Sequence, residues 1–543
     1  MKILVIGGVA AGTKTAAKLK REDKNYDITL ITRDKHISYA GCGLPYYIGG
    51  VIEDKKNLIV KTPEEFEKIT GVQVFTQLEA KEILKNSKEV EVQDLSSGEI
   101  KKLNYDKLVI ATGASPFMPA IEGKDLEGVF TIRTPEDAVE IREAVEQGDV
   151  KRAVVIGGGF IGIEVAENLI EQGVKVTLIE MASQILPGFD MEISHIAQEH
   201  LLDKGIMTLM EEQVISIEGV NRVEKVITDK RKIKADMVVM AIGVRANTEI
   251  AQRAGITLGE RNAIRVNEYM ETSEKDIYAV GDCAENINII TESKAWYPMG
   301  STSNKMGRIA ALNISGERAA LDGVLGTTVV KIFDINTGKT GLSEQDAKSS
   351  GFNPISILVP TNDRAHYYPG AKNIVTKLIA DKDSRRILGA QIIGPGVIDK
   401  PIDILATAIT FKAKVEDIEN LDLAYAPPFS MAMASTIVAA NVLLNKMNGK
   451  VDTVTPVEFW RDKDNYRVID LRSEDEFEEK HIEGAINIPF DNINEHINHI
   501  EKNENLILVC RVGKIAYIAY KKLKALGYRD VKILEGGMTI PQI

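Results

Sequence analysis

The sequence predicts an α/β protein of several domains, organised around two nucleotide-binding units of parallel strands. One observation is a repeated order: an apolar run breaks into a glycine-rich turn and a helical pattern at residues 2–21, and again at residues 152–180. A second is a set of apolar runs ending in small residues, Leu108-Val109-Ile110-Ala111-Thr112-Gly113, Val238-Val239-Met240-Ala241-Ile242-Gly243 and Ile277-Tyr278-Ala279-Val280-Gly281-Asp282, which read as buried strands beside a ligand. The third is size. At 543 residues the chain exceeds what one hydrophobic core supports, and roughly three or four domains are expected.

In the first unit, residues 2–7 read as a buried strand, Gly7-Gly8-Val9-Ala10-Ala11-Gly12 as the turn, and residues 13–21 as a helix. Such a turn lets the backbone approach a pyrophosphate, and the helix N-terminus offers unpaired N–H groups. Val9 stands where the middle glycine is usual. The following strand, residues 27–32, ends at Thr32 without the usual ribose-binding acid, with Asp34 two residues on. The second unit is complete: Val154-Val155-Ile156 enters Gly157-Gly158-Gly159-Phe160-Ile161-Gly162, and the next strand ends at Glu180. A carboxylate there binds a ribose 2′-hydroxyl and repels a 2′-phosphate, which favours NADH over NADPH.

Composition excludes some partners. A formal net charge of −12 argues against nucleic acid and anionic membranes, while leaving room for a local basic pocket. Cys42, Cys283 and Cys510 are too few for a disulfide framework, so a cytoplasmic protein is expected. The apolar start is interrupted by Gly7, Gly8 and Gly12, unlike a signal peptide. The longest apolar tract, residues 153–166, carries glycines and Glu164, so no membrane insertion is expected.

The order of glycine turn, Ala-Thr-Gly, second glycine turn, Ala-Ile-Gly and Tyr-Ala-Val-Gly-Asp resembles the two-dinucleotide flavoprotein disulfide reductases. That resemblance implies FAD at Gly7, Gly8, Ala11, Gly12, Thr32, Arg33, Ala111, Thr112, Gly113, Gly281 and Asp282. It implies NAD at Gly157, Gly159, Gly162, Glu180 and Gly243. The usual redox pair of this superfamily is a C-x-x-x-x-C, and its place holds only Cys42, between Gly41 and Gly43. The chain therefore resembles the single-cysteine branch: coenzyme A disulfide reductases, NADH oxidases and peroxidases, and NADH-dependent persulfide or polysulfide reductases. A lone thiol there cycles through a mixed disulfide, persulfide or sulfenic acid.

Three details choose within the branch. Oxidase and peroxidase members carry a histidine just after the first turn, and this segment has none; His36 and His195 lie at unrelated positions. Tyr367, Tyr368 and Tyr425 resemble the tyrosines that reach the cysteine of the other subunit in coenzyme A disulfide reductases, and a phenol there could donate a hydrogen bond to a thiolate or departing sulfur. Lys14, Lys18 and Arg21 lie at i, i+4 and i+7, forming one helix face; with Ser38 they match coenzyme A contacts of the branch. One departure is Gly41, where coenzyme A disulfide reductases usually have Asn, and its loss opens the cysteine to a longer sulfur substrate. Cys283 reads as structural.

Residues 326–445 resemble the family's α+β dimerisation domain, with helices expected over 401–414 and 430–444, and residues 446–452 read as a linker. Residues 453–543 resemble a single-domain rhodanese of α/β type. There a buried strand delivers Cys510 to a loop, residues 511–515, running into a helix whose N–H groups stabilise a thiolate or persulfide. Ile515 stands where that loop often has Arg, with Lys514 beside it. The division expected is 1–115 with 245–325 for FAD, 116–244 for NAD, then the dimerisation and rhodanese domains. The resemblance implies a homodimer sharing its active site across subunits. It also implies NADH-driven reduction of coenzyme A persulfide, polysulfide or coenzyme A disulfide through Cys42, with Cys510 relaying sulfane sulfur. The alternatives are an NADH oxidase or peroxidase working through a Cys42 sulfenic acid, and a non-enzymatic redox or sulfur-carrier protein.

Overall fold

The computed structural model describes residues 1–496 and 499–543. Its chain forms two compact units, residues 1–181 with 209–326, and residues 182–208 with 327–543.

The first unit contains both glycine-turn repeats. The strand Lys2–Ile6 pairs in parallel with Asp27–Ile31 on one side and Lys107–Ile110 on the other, and Ile277–Ala279 joins beyond Lys107–Ile110. The apolar runs are continuous because both faces of this sheet are covered: Leu4, Val5, Val109 and Ile110 are all buried. The second repeat pairs Arg152–Ile156 with Lys175–Ile179 and Met237–Met240, again in parallel, with Val129–Thr131 beside the last. In each repeat a helix leaves the turn at once, Ala10–Glu22 in one and Phe160–Glu171 in the other.

The second unit holds an antiparallel sheet of Thr328–Ile332, Ile335–Gly341, Ile387–Gly394, Asn373–Asp381 and Pro354–Asn362. Its helices differ from the sequence expectation at their ends. The first is Asp399–Thr410, stopping earlier because Lys412 adopts a left-handed φ of 58°. The last is Ser435–Met447, which runs into the expected linker before Gly449, at φ 65°, ends the segment. Residues 453–543 form a separate parallel sheet, in the order Thr453–Val454, Val531–Leu534, Leu506–Val509, Arg467–Asp470 and Ile486–Asn487.

Residues 182–208, which the sequence places within 116–244, group by their contacts with the second unit. A buried charge cluster is among the contacts that join them. Lys377 is 2% exposed, and its Nζ lies 2.9 Å from Glu192, 2.6 Å from Glu344 and 3.5 Å from Asp190. Burial pushes its ammonium down, but the three carboxylates push it up further, and it stays charged. Asp190, pushed up by burial against the pull of Lys377, titrates at about 6. A cation enclosed this way is tolerable because three carboxylates offset the loss of water around it.

Candidate active site

Both glycine turns are shaped by contacts that leave no room for a side chain. A Cβ on Gly12 would lie 1.9 Å from the Gly7 carbonyl oxygen, and one on Gly162 1.9 Å from that of Gly157. Gly7 and Gly157 adopt φ of 119° and 109°, which L side chains avoid. Gly159, which precedes the second helix at φ −77°, faces open space instead, with no atom within 4 Å of an ideal Cβ. It sits at the mouth where an anion would meet the helix N-terminus. Glu180 reaches the same turn, its Oε2 accepting the Gly158 N–H at 2.7 Å. Gly243, at φ 105°, is likewise open on its Cβ side.

The first turn opens into a cleft of about 570 Å³ whose lining includes Gly7, Gly8, Thr32, Arg33, Ala111, Thr112 and Gly113. Several lining residues go beyond the sequence expectation, among them Asp34, Lys81, Arg133 and Asn247. Asp34 is pushed up by burial, while Arg33 and Arg133 pull it down. Cations beside a helix N-terminus suit a pyrophosphate, and a carboxylate beyond the strand end suits a ribose, so the cleft fits the adenine dinucleotide part of FAD. Ala11, Gly12, Gly281 and Asp282 lie outside this lining. Gly281 packs on Ala11, since its Cβ would fall 2.7 Å from that of Ala11. The Asp282 carboxylate accepts from Ser303 Oγ at 2.8 Å, and Arg133 lies 3.9 Å from its other oxygen.

Cys42 sits in the single turn Gly41–Gly43, its side chain exposed, directly before the helix Leu44–Ile48. A Cβ on Gly41 would meet no atom within 4 Å, so the approach is open on that side. Desolvation pushes the thiol up, Glu164 and Asp282 push it further, and Arg133 opposes them. Glu164, on the helix of the second glycine turn, accepts the Tyr46 hydroxyl at 3.1 Å. Burial pushes Glu164 up to about 7, against that hydrogen bond and with help from Glu167. The sequence does carry a signal for Glu164: it is a lone acid inside an apolar tract.

The basic trio occupies one helix face as expected, but Lys18 is ion-paired with Glu22 on the same helix. Ser38 takes a left-handed φ of 48° and donates its N–H to the Gly8 carbonyl at 2.8 Å. Within the second unit, Tyr367, Tyr368 and Tyr425 are all exposed, and the hydroxyls of Tyr367 and Tyr425 meet at 3.4 Å. That contact pushes the Tyr425 phenol up. Cys510 is buried at the end of Leu506–Val509, and its Sγ accepts the Gly513 N–H at 3.1 Å and the Ala516 N–H at 3.4 Å. Gly513, at φ 96°, turns the chain into the helix Lys514–Ala525. Cys283 is fully buried in the first unit's core, as its structural reading requires.

Residues 1–298 match the pyridine nucleotide-disulphide oxidoreductase family. The chain belongs to that family. Residues 327–437 match the family's dimerisation domain, and residues 455–539 a rhodanese-like domain. An NAD(P)H sulfur oxidoreductase (CoA-dependent) of Pyrococcus abyssi is 40% identical, covering 81% of this chain and 98% of its own length. Among solved structures, a NAD-dependent persulfide reductase from A. fulgidus superposes with a TM-score of 0.95 at 40% identity, covering 99% of each chain. A reduced CoADR-RHD from Bacillus anthracis gives 0.94 at 36% identity, covering 99% of this chain and 97% of its own. The chain is thus a flavoprotein oxidoreductase with FAD and NAD(P)H as its cofactors.

The two glycines of the second turn should respond differently to the same methyl group. Gly159→Ala is expected to fold normally and raise the KM for NADH about tenfold, roughly 1.4 kcal/mol, because its Cβ enters the ligand space. Gly162→Ala is expected to lower the thermal midpoint, because its Cβ meets backbone. For Cys42, Glu164→Gln removes a charge that pushes the thiol up, so the pH midpoint of peptide-mapped Cys42 alkylation should fall. A midpoint lower by about one pH unit makes the reaction about tenfold faster on its acid side, where the thiolate is scarce. The stability contribution of Glu164, whose folded pKa is raised, is full at low pH and lost as pH rises through about 7. Unfolding of Glu164→Gln should lack that dependence.

Proposed function

We propose that this protein uses NADH to reduce sulfane sulfur carried on coenzyme A, or a polysulfide, through Cys42, and that Cys510 passes sulfane sulfur to or from that substrate. The observation that carries the reading is a single exposed cysteine at the redox position, with open space at Gly41 on one side. Names of the relatives support the sulfur substrate.

In this reading residues 1–115 and 245–325 hold FAD, 116–244 the nicotinamide nucleotide, 326–445 the dimer contact and 453–543 the sulfurtransferase. The first turn, Thr32, Arg33 and Arg133 hold the flavin nucleotide; Gly157, Gly159 and Gly162 hold the second pyrophosphate, with Glu180 at its ribose. Bound FAD supplies the two-electron relay between nicotinamide and sulfur. The Cys42 thiolate attacks the outer sulfur of coenzyme A persulfide, the S–S bond of the substrate breaks, and its electron pair leaves on the coenzyme A thiolate. Hydride equivalents from NADH then cleave the Cys42 persulfide, restoring the thiolate and releasing hydrogen sulfide. Overall, NADH and coenzyme A persulfide give NAD⁺, coenzyme A thiolate and hydrogen sulfide.

At Cys510 the exchange is redox-neutral. Its thiolate takes the outer sulfur of a persulfide, the donor thiolate leaves, and the Gly513 and Ala516 N–H groups hold the anionic sulfur. Lys14, Lys18, Arg21 and Ser38 contact the coenzyme A phosphates. Tyr367, Tyr368 and Tyr425 reach across a cytoplasmic homodimer to donate to the departing sulfur. Among the described residues no helix is long and apolar enough to cross a membrane.

Cys42→Ser is expected to lose coenzyme A persulfide reduction by on the order of a thousandfold, while NADH still bleaches the flavin in stopped flow. Normal turnover by that variant contradicts the mechanism, and oxygen consumption exceeding persulfide turnover favours the oxidase reading instead.

A further inference from the structure

Glu535 directly follows the strand Val531–Leu534, with its side chain only 1% exposed. Its Oε2 accepts the Leu358 N–H at 3.0 Å, and its Oε1 accepts Lys446 Nζ at 2.7 Å and Thr453 Oγ1 at 2.6 Å. These partners come from different places: Leu358 from the dimerisation strand Pro354–Asn362, Lys446 from the last turn of Ser435–Met447, and Thr453 from the rhodanese sheet. Lys446 also donates to the Ser356 carbonyl at 2.9 Å. A buried carboxylate is stable only when its lone pairs are matched in this way, so the contact has little freedom to slide.

The residues that follow Glu535 support Cys510 from below. Gly536 and Gly537 take φ of 75° and 56°, and a Cβ on Gly537 would lie 2.2 Å from the Cys510 carbonyl oxygen. The Met538 N–H donates to that carbonyl at 3.0 Å, and Thr539 Oγ1 donates to the Arg511 carbonyl at 2.9 Å. The backbone of the sulfur-carrying loop therefore rests on a segment whose preceding residue is fastened to the dimerisation sheet. We infer that Glu535 is a positioning residue for Cys510, so that sulfur transfer there depends on a contact made outside the rhodanese domain. The inference rests on the sulfur-transfer reading of Cys510 given above.

The test uses the full-length holoenzyme. Single-turnover transfer from persulfidated Cys510 to a small thiol and peptide-mapped iodoacetamide labelling of Cys510 and Cys283 are measured for the wild type, Glu535→Ala and Glu535→Gln. Glu535→Ala is expected to slow transfer about tenfold, the effect of one or two lost hydrogen bonds to a charged group, and to speed Cys510 labelling several-fold as its loop loosens. Cys283 should stay protected and NADH-linked turnover unchanged, which separates repositioning from unfolding. Glu535→Gln, which keeps an accepting oxygen, should recover most of the transfer rate. Wild-type transfer and labelling in Glu535→Ala would overturn the inference. A wild type that labels at Cys510 but carries no sulfur there would overturn the sulfur-transfer reading, and the labelling comparison would still decide whether Glu535 positions the loop.

Discussion

Both glycine turns depend on one backbone contact made twice: a helical glycine pressed against the carbonyl of the glycine that opens its turn, Gly12 on Gly7 and Gly162 on Gly157. Because no side chain separates them, each helix begins directly at the strand end, so that its N-terminus faces the mouth of the turn, the place where helix ends receive anions. Anything larger would move the helix off the sheet and take the anion site with it. The open face of Gly159 is the complement of that closeness, a position beside the helix start that no packing fills.

Cys42 shows how the same scaffold handles charge. It lies just before the helix Leu44–Ile48, and Tyr46 of that helix bonds Glu164 on the helix of the second turn. The thiol thus senses a carboxylate on the helix of the second glycine turn, and another, Asp282, from the turn just after the strand Ile277–Ala279. Burial disfavours the thiolate most, both carboxylates add to that, and Arg133 favours it. Beside burial, groups from three separate stretches of chain act on the ionisation of the cysteine, which links it to the helix of the second glycine turn.

Local features were legible in the sequence. Glycine turns, buried parallel strands and the lone cysteine are written in spacing and residue size, and the sheet pairings follow them. Features that arise from packing between distant segments were not. Tyr46 and Glu164 are 118 residues apart, and only the stacking of their helices makes them partners. Lys446 and Met447 read as linker by composition, yet they complete the last turn of a helix that places Lys446 on Glu535. Likewise, nothing in the local sequence around Lys377 announces that its cation is enclosed by three acids from two other elements.

The central claim is that sulfur passes through Cys42. Rapid mixing of enzyme that holds Cys42 as the free thiol, in the absence of NADH, with coenzyme A persulfide, followed by quenching with an alkylating reagent and mapping by mass spectrometry, tests it directly. The account expects one added sulfur atom on Cys42 before hydrogen sulfide appears, and its loss when NADH is supplied. Sulfide release while Cys42 stays unmodified, or an oxygen adduct there in place of sulfur, would contradict it.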